Sequence, residues 1–141
     1  MSPTVFRLLV IASIVLGVAG GVLDLLFPDL LSPALAKANE SEPLPDLLEA
    51  YPWLCGTVIG ALTIAYLAGI VGLLFFKRWA PPLALWCTLG DLLLAPLVGA
   101  TVASGWSSTL AFLSYVSWGA ALALAYHSPI AARFGRAAAP P

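Results

Sequence analysis

Charge is what this sequence lacks most. Only 9% of its 141 residues are Asp, Glu, Lys or Arg, and 61% are hydrophobic. Soluble domains carry about a quarter charged residues, so this chain cannot cover a water-facing surface. The net charge of −1 offers no basic footprint for nucleic acid, which is excluded as a partner. Histidine occurs once, at His127. One imidazole with no cysteine or carboxylate beside it cannot complete a metal set, so no metal is expected. It equally leaves a bis-histidine haem without its ligands, and no cofactor is expected.

Cysteine is nearly absent too. Cys55 and Cys87 fall at opposite ends of two different apolar stretches. At 1.5 Å per residue they are roughly 20 Å apart in depth, beyond disulfide reach. There is no C-x-x-C, no H-E-x-x-H and no G-x-S-x-G, so thiol redox, zinc hydrolysis and serine acyl transfer all lack their groups. The chain reads as one without catalytic machinery.

What remains is apolar sequence. Four stretches, about 5–27, 54–76, 82–103 and 106–127, each reach the roughly 20 residues a helix needs to cross a bilayer. Continuous apolarity, without the alternation of a barrel strand, makes them helices. The expected fold is therefore an all-α integral membrane protein, a single four-transmembrane-helix bundle spanning 1–141. Arg7, Lys77, Arg78, Arg133 and Arg136 fall on one side of this arrangement and Lys37 alone on the other. That bias predicts both termini and the turn at 77–81 on the cytoplasmic side. Composition suggests a bacterial inner membrane. Trp53, Trp79 and Trp106 fall at span ends, as interface anchors do.

The connection 28–53 lies outside in this reading. It holds Asp29, Glu40, Glu42, Asp46 and Glu49 against Lys37, and 45–51 suggests a short interfacial helix. Ala34-Leu35-Ala36 has the look of a signal-peptidase site. The preceding apolar run is longer than a signal core, and Asp24, Asp29 and Pro33 intervene, so the first span is expected to be retained. The tail, 128–141, reads as a cytoplasmic segment that frays. Its two arginines fall short of the four or more that make an anionic-lipid site.

Small residues mark packing faces. Ser13, Gly17 and Gly21 recur at four-residue spacing in the first span, and Gly56 and Gly60 in the second, where they would let helix backbones approach. Ser107, Ala111, Ser114, Ser117 or Trp118, Ala121 and Ala125 form a comparable face in the fourth. The same motifs serve packing within one bundle or against a second copy or another membrane protein.

One ionisable group lies within a span. Asp91 shares a stripe of the third span with Ala84, Thr88, Ala95 and Gly99, expected to face the bundle interior. Such a charge costs about 2.5–3.5 kcal/mol on insertion scales. Depth counting places Tyr66, Ser117 and Trp118 nearby, and Ser114 and Tyr115 slightly further out. The candidate polar site is thus Asp91, Tyr66, Thr88, Ser114, Tyr115 and Ser117. Pro96 should kink the span just beyond it. In length and span number the chain resembles the small multidrug-resistance transporters. Those carry an essential glutamate in mid-first span, where this chain has Ser13 and glycines, so the resemblance stops at architecture. Two functions are open: an accessory or scaffold protein of the membrane, or a small oligomeric proton- or cation-linked transporter or channel using Asp91.

Overall fold

The computed structural model describes residues 2–27, 50–98 and 103–135, together with Leu30 and Lys37. Four α-helices follow in order: α1 (Pro3–Leu26), α2 (Pro52–Leu74), α3 (Ala80–Val98) and α4 (Gly105–His127). A short 3-10 helix, Pro129–Phe134, ends the described chain. Three helices, α1, α2 and α4, are long and apolar enough to cross a membrane, and α3 adds a shorter apolar stretch over Ala80–Ala95. The fold is that of a helical membrane protein. The expected interfacial helix at 45–51 lies outside the described residues, apart from Ala50 and Tyr51. Helix α3 continues through Pro96 to Val98.

The helices pack as two pairs. α1 lies against α4 along its length, and α2 against α3, while contacts between the pairs are sparser. The α1–α4 seam follows a heptad. Phe6, Val10, Ser13 and Gly20 are buried along α1, and Ser107, Trp118, Ala121 and Ala125 along α4. Gly17 and Gly20 lie on the contact line. A Cβ added at Gly17 would meet Ser114 Oγ at 2.9 Å, and one at Gly20 would meet the Ser107 carbonyl oxygen at 3.1 Å. Lipid supplies no hydrophobic drive for helix association. Close backbone approach and interhelical hydrogen bonds do the work instead. The Ser114 hydroxyl donates to the Ser13 carbonyl at 2.7 Å, and the Ser107 hydroxyl donates to the Gly20 carbonyl.

Two of the anticipated packing glycines differ from this pattern. Gly21, next to Gly20, has open space around it, as do Gly56 and Gly60. In an α-helix each residue turns 100°, so Gly21 faces away from a seam that Gly20 occupies. In α2 the close contacts fall nearer its other end. Gly69 meets Ala84, and Gly72 meets Ala80 and the Trp79 ring. The Gly56–Gly60 stretch leaves α3 behind and presents its face outward.

The two pairs join at one end. Helix α2 stops with Phe75 as its cap residue and Phe76 in the left-handed region at φ 54°. The Lys77 amide donates to the Gly72 carbonyl at 2.8 Å, and the Phe76 amide to the Leu73 carbonyl at 3.2 Å. This is the double bond pattern of a Schellman stop, two residues earlier than the apolar run suggests. The motif points the Phe76 ring at Phe6 and Phe134, 5.7 and 5.3 Å away between centroids. Phe134 comes from the tail, whose first turn does not fray. Ile130, Ala131 and Phe134 are all at least 98% buried. Ser128 receives the Ile130 amide, and Gly135 closes the turn with φ 69°. A tail expected from its alanines and prolines to be loose is anchored by one aromatic residue.

Gly20→Leu should weaken the α1–α4 pair, since the new side chain meets backbone rather than a yielding side chain. A loss of about 1–3 kcal/mol is expected from overpacking. Gly21→Leu should be near neutral. Thermal unfolding of the two variants in the same detergent distinguishes them.

Candidate functional site

The six residues proposed as a polar site do not form one site. Thr88 turns into the junction between α3 and α4. Its hydroxyl donates to the Ala84 carbonyl at 2.8 Å and accepts from the indole N–H of buried Trp118 at 2.9 Å. That pair is structural: an indole N–H in an apolar setting needs an acceptor. Ser114 is committed to the α1–α4 seam, as described above. Ser117 is half-buried, and Tyr115 is exposed on the outer face of α4. Tyr115 borders a shallow groove over Gly17, Gly20 and Gly21.

Asp91 and Tyr66 do come together. Both line a groove of about 360 Å³ between α2 and α3, with Ile59, Leu62, Thr63, Leu94 and Ala95. Asp91 is exposed there, not enclosed by the bundle as the small-residue stripe suggested. The reason lies in the stripe itself. Ala84 and Cys87 are buried in the α2–α3–α4 junction, whereas Asp91, Leu92, Leu93 and Ala95 are all exposed. Beyond Gly90, which rests against Leu62, α3 is covered on fewer sides. Asp91 lies eleven residues into α3, roughly 17 Å along the helix axis. Tyr66 is half-buried, and its ring packs on Trp118 at 5.1 Å between centroids. The Thr63 hydroxyl donates to its own helix, at the Ile59 carbonyl. The groove therefore offers one carboxyl and one phenol in an otherwise apolar wall.

A second carboxylate has a role the sequence did not suggest. Asp24 was expected to reach water or Lys37. Instead its Oδ2 accepts the backbone N–H of Ser104 at 2.8 Å. Ser104 is the N-cap of α4, and its hydroxyl accepts the Ser107 N–H at 3.1 Å. In a capping box, a Glu or Gln three residues past the cap takes the cap's own N–H. Here that position is Ser107, and Asp24 supplies the carboxylate from another helix. The negative group also sits at the positive end of the α4 dipole. Its Oδ1 is buried without a described partner. The signal in the sequence was positional: Asp24 continues the series Phe6, Val10, Ser13, Gly17, Gly20.

Cys55 and Cys87 are both free thiols, the first half-buried and the second buried. Among the described residues, no three His, Cys, Asp or Glu side chains gather as a metal-binding group. The described side chains bring no nucleophile within reach of a base.

Asp24→Ala should remove a helix cap and cost about 0.5–2 kcal/mol. Asp24→Asn, which keeps an acceptor but no charge, should cost less. Loss of α4 amide protection near Ser104 in hydrogen exchange would localise the effect. The chain matches no protein family, no curated protein and no solved structure, so these side chains alone carry what can be said of function.

Proposed function

We propose that the chain is a four-span inner-membrane protein without catalytic activity, an accessory or scaffold that docks through the open half of its α2–α3 hairpin. The observation that carries this is the exposure of Asp91 on a groove whose neighbouring helix face is unpacked. Gly56 and Gly60 have nothing within 4 Å of an added Cβ. They continue the face of α2 that bears Thr63, beside the wall that Tyr66 and Asp91 share. Helix faces of this composition admit a second helix at close range, and a polar group in hydrocarbon gains from a hydrogen-bond partner. Lipid tails satisfy neither feature. A membrane-spanning helix with a small-residue face and one hydrogen-bonding side chain satisfies both. The bilayer and this helix, from a second copy or another protein, are the partners in this reading. The excess of cations near residues 7, 77, 78 and 133 supports a cytoplasmic location for both termini.

Native mass spectrometry from nanodiscs and crosslinking in native membranes test the proposal. Gly60→Leu and Asp91→Leu should each abolish a defined assembly, and Asp91→Asn should retain much of it. Gly119→Leu, at another open position on α4, should change nothing. A wild-type chain that is monomeric and makes no specific crosslink would overturn the reading.

A second reading rests on the same carboxyl. An acid within a membrane helix is a common proton or cation site, and the groove beside Asp91 admits water-sized groups. Four helices enclose no pathway here, so transport would require the groove to be roofed by a second copy. Proton or cation flux into liposomes should then fall at least about ten-fold in Asp91→Asn, the order seen when an essential ionisable group is removed. Unchanged flux excludes this reading and leaves docking standing.

A further inference from the structure

The end of the bundle where the two helix pairs join is rich in cations and has no described carboxylate. Asp24 and Asp91 are the acids among the described residues, and both lie elsewhere. Arg7, Lys77, Arg78 and Arg133 are all exposed at this end. Folding has brought them together from three parts of the sequence. The Arg7 guanidinium carbon lies 5.1 Å from the Phe76 ring centroid and that of Arg133 lies 5.8 Å from the same centroid. The two cations are therefore at most about 11 Å apart. Arg78 runs along Gly135, its Cδ 3.7 Å from the site of an added Cβ. Lys77 follows Phe76 directly.

Like charges held this close repel unless an anion lies between them. Arg7 is also pre-oriented. Its Nε donates to the Leu74 carbonyl at 3.0 Å, one of the free carbonyls at the end of α2. The two terminal nitrogens of Arg7 have no described acceptor. Stacking on an aromatic face holds a guanidinium plane while its edge remains available to an oxyanion. The docking of Phe134 is what places Arg133 over the ring. Two arginines read from the tail alone were too few for a lipid site. The folded end supplies four cations, the lower limit for recognising an anionic lipid.

We infer that this end of the molecule binds the phosphate of an anionic phospholipid headgroup, held between Arg7 and Arg133 above Phe76, with Lys77 and Arg78 at its flank. The location favours a lipid over a soluble phosphate. The cluster lies at the ends of helices long enough to span a bilayer. Exposed Phe75 and Trp79 flank it, an aromatic setting suited to the level where headgroup meets acyl chain. The inference does not depend on what the Asp91 groove does.

The test uses the full chain in phosphatidylcholine nanodiscs containing a minor fraction of phosphatidylglycerol. Native mass spectrometry should show the wild type retaining phosphatidylglycerol after the bulk lipid is stripped. Arg7→Gln combined with Arg133→Gln should weaken retention about ten- to thirty-fold, the effect of removing two surface cations near a phosphate. Arg7→Lys with Arg133→Lys should fall between, since charge is kept and the planar fork is lost. Lys37→Gln removes a cation away from the cluster and should retain the lipid fully. Equal retention by the double glutamine variant and the wild type would overturn the site. Should the variant fail to fold, the wild type decides alone. Its unfolding temperature should rise with phosphatidylglycerol over phosphatidylcholine, and equal temperatures would overturn the proposal. A full rise produced by inorganic phosphate in phosphatidylcholine would overturn the lipid assignment as well.

Discussion

The fold depends on a phenylalanine in a conformation that favours glycine. Phe76 sits at φ 54°, where a side chain costs about 1–3 kcal/mol. A glycine there would end α2 just as well but would bring no ring. With phenylalanine, the same backbone turn that stops the helix inserts an aromatic group among Phe6 of α1 and Phe134 of the tail. Phe6 and Phe134 also meet each other edge to face at 5.9 Å. Three rings from the first helix, the central turn and the last turn thus close the chain on itself. Truncating a buried phenylalanine typically costs about 3–5 kcal/mol, more than the local strain. The strained turn is therefore held by what its ring touches. Since the two helix pairs share few contacts elsewhere, this junction sets how they sit together.

The molecule changes character away from that junction. Near the Phe76 end, the interior is apolar: Val10, Ile70, Leu73, Leu122 and Ile130 are buried with the three rings. Toward the Asp24 end, the α1–α4 seam narrows to glycines and serines, and polar bonds replace side-chain volume. Ser13 to Ser114, Gly20 to Ser107 and Asp24 to Ser104 follow one another along it. Each such bond in a membrane protein contributes only about 0.6 kcal/mol, so none dominates. Their joint effect is to fix register, because a one-turn slip would leave three acceptors and a carboxylate unmatched. The apolar end supplies packing energy, and the polar end supplies alignment.

Much of this was legible in the residues. Helix number and class follow from apolar run lengths. The small-residue face of α4 was legible because it repeats over five turns. The face of α1 was legible to within one residue. Ser13 and Gly17 are on it, but adjacent Gly20 and Gly21 can be distinguished only by the phase of the larger neighbours Phe6 and Val10. Gly56 and Gly60 failed because composition says that a helix face can be approached closely, not that anything approaches it. The interior placement of Asp91 failed for a related reason. A stripe with Ala84 faces inward at one height, yet the bundle that covers Ala84 no longer covers Asp91 two turns on. The aromatic junction could not be read at all. It depends on a left-handed phenylalanine and on residues about 70 positions apart in sequence, neither of which leaves a periodic trace.

The two unsatisfied features of the surface lie at different heights for a physical reason. A cluster of guanidinium groups can exist only where water and headgroups screen it, and it is held on the most rigid part of the fold, over Phe76. An isolated carboxyl on α3 lies among lipid-facing leucines, on the part of the hairpin with the fewest neighbours. The first is a site that needs a fixed geometry and has one. The second is a polar group whose surroundings are left for another helix to complete. Rigidity at one end lets the hairpin stay open at the other without loss of the fold, since the contacts that join the helix pairs do not involve Gly56, Gly60 or Asp91. A side chain that the fold does not use, kept where exposure costs free energy, is best understood by what it meets outside the chain.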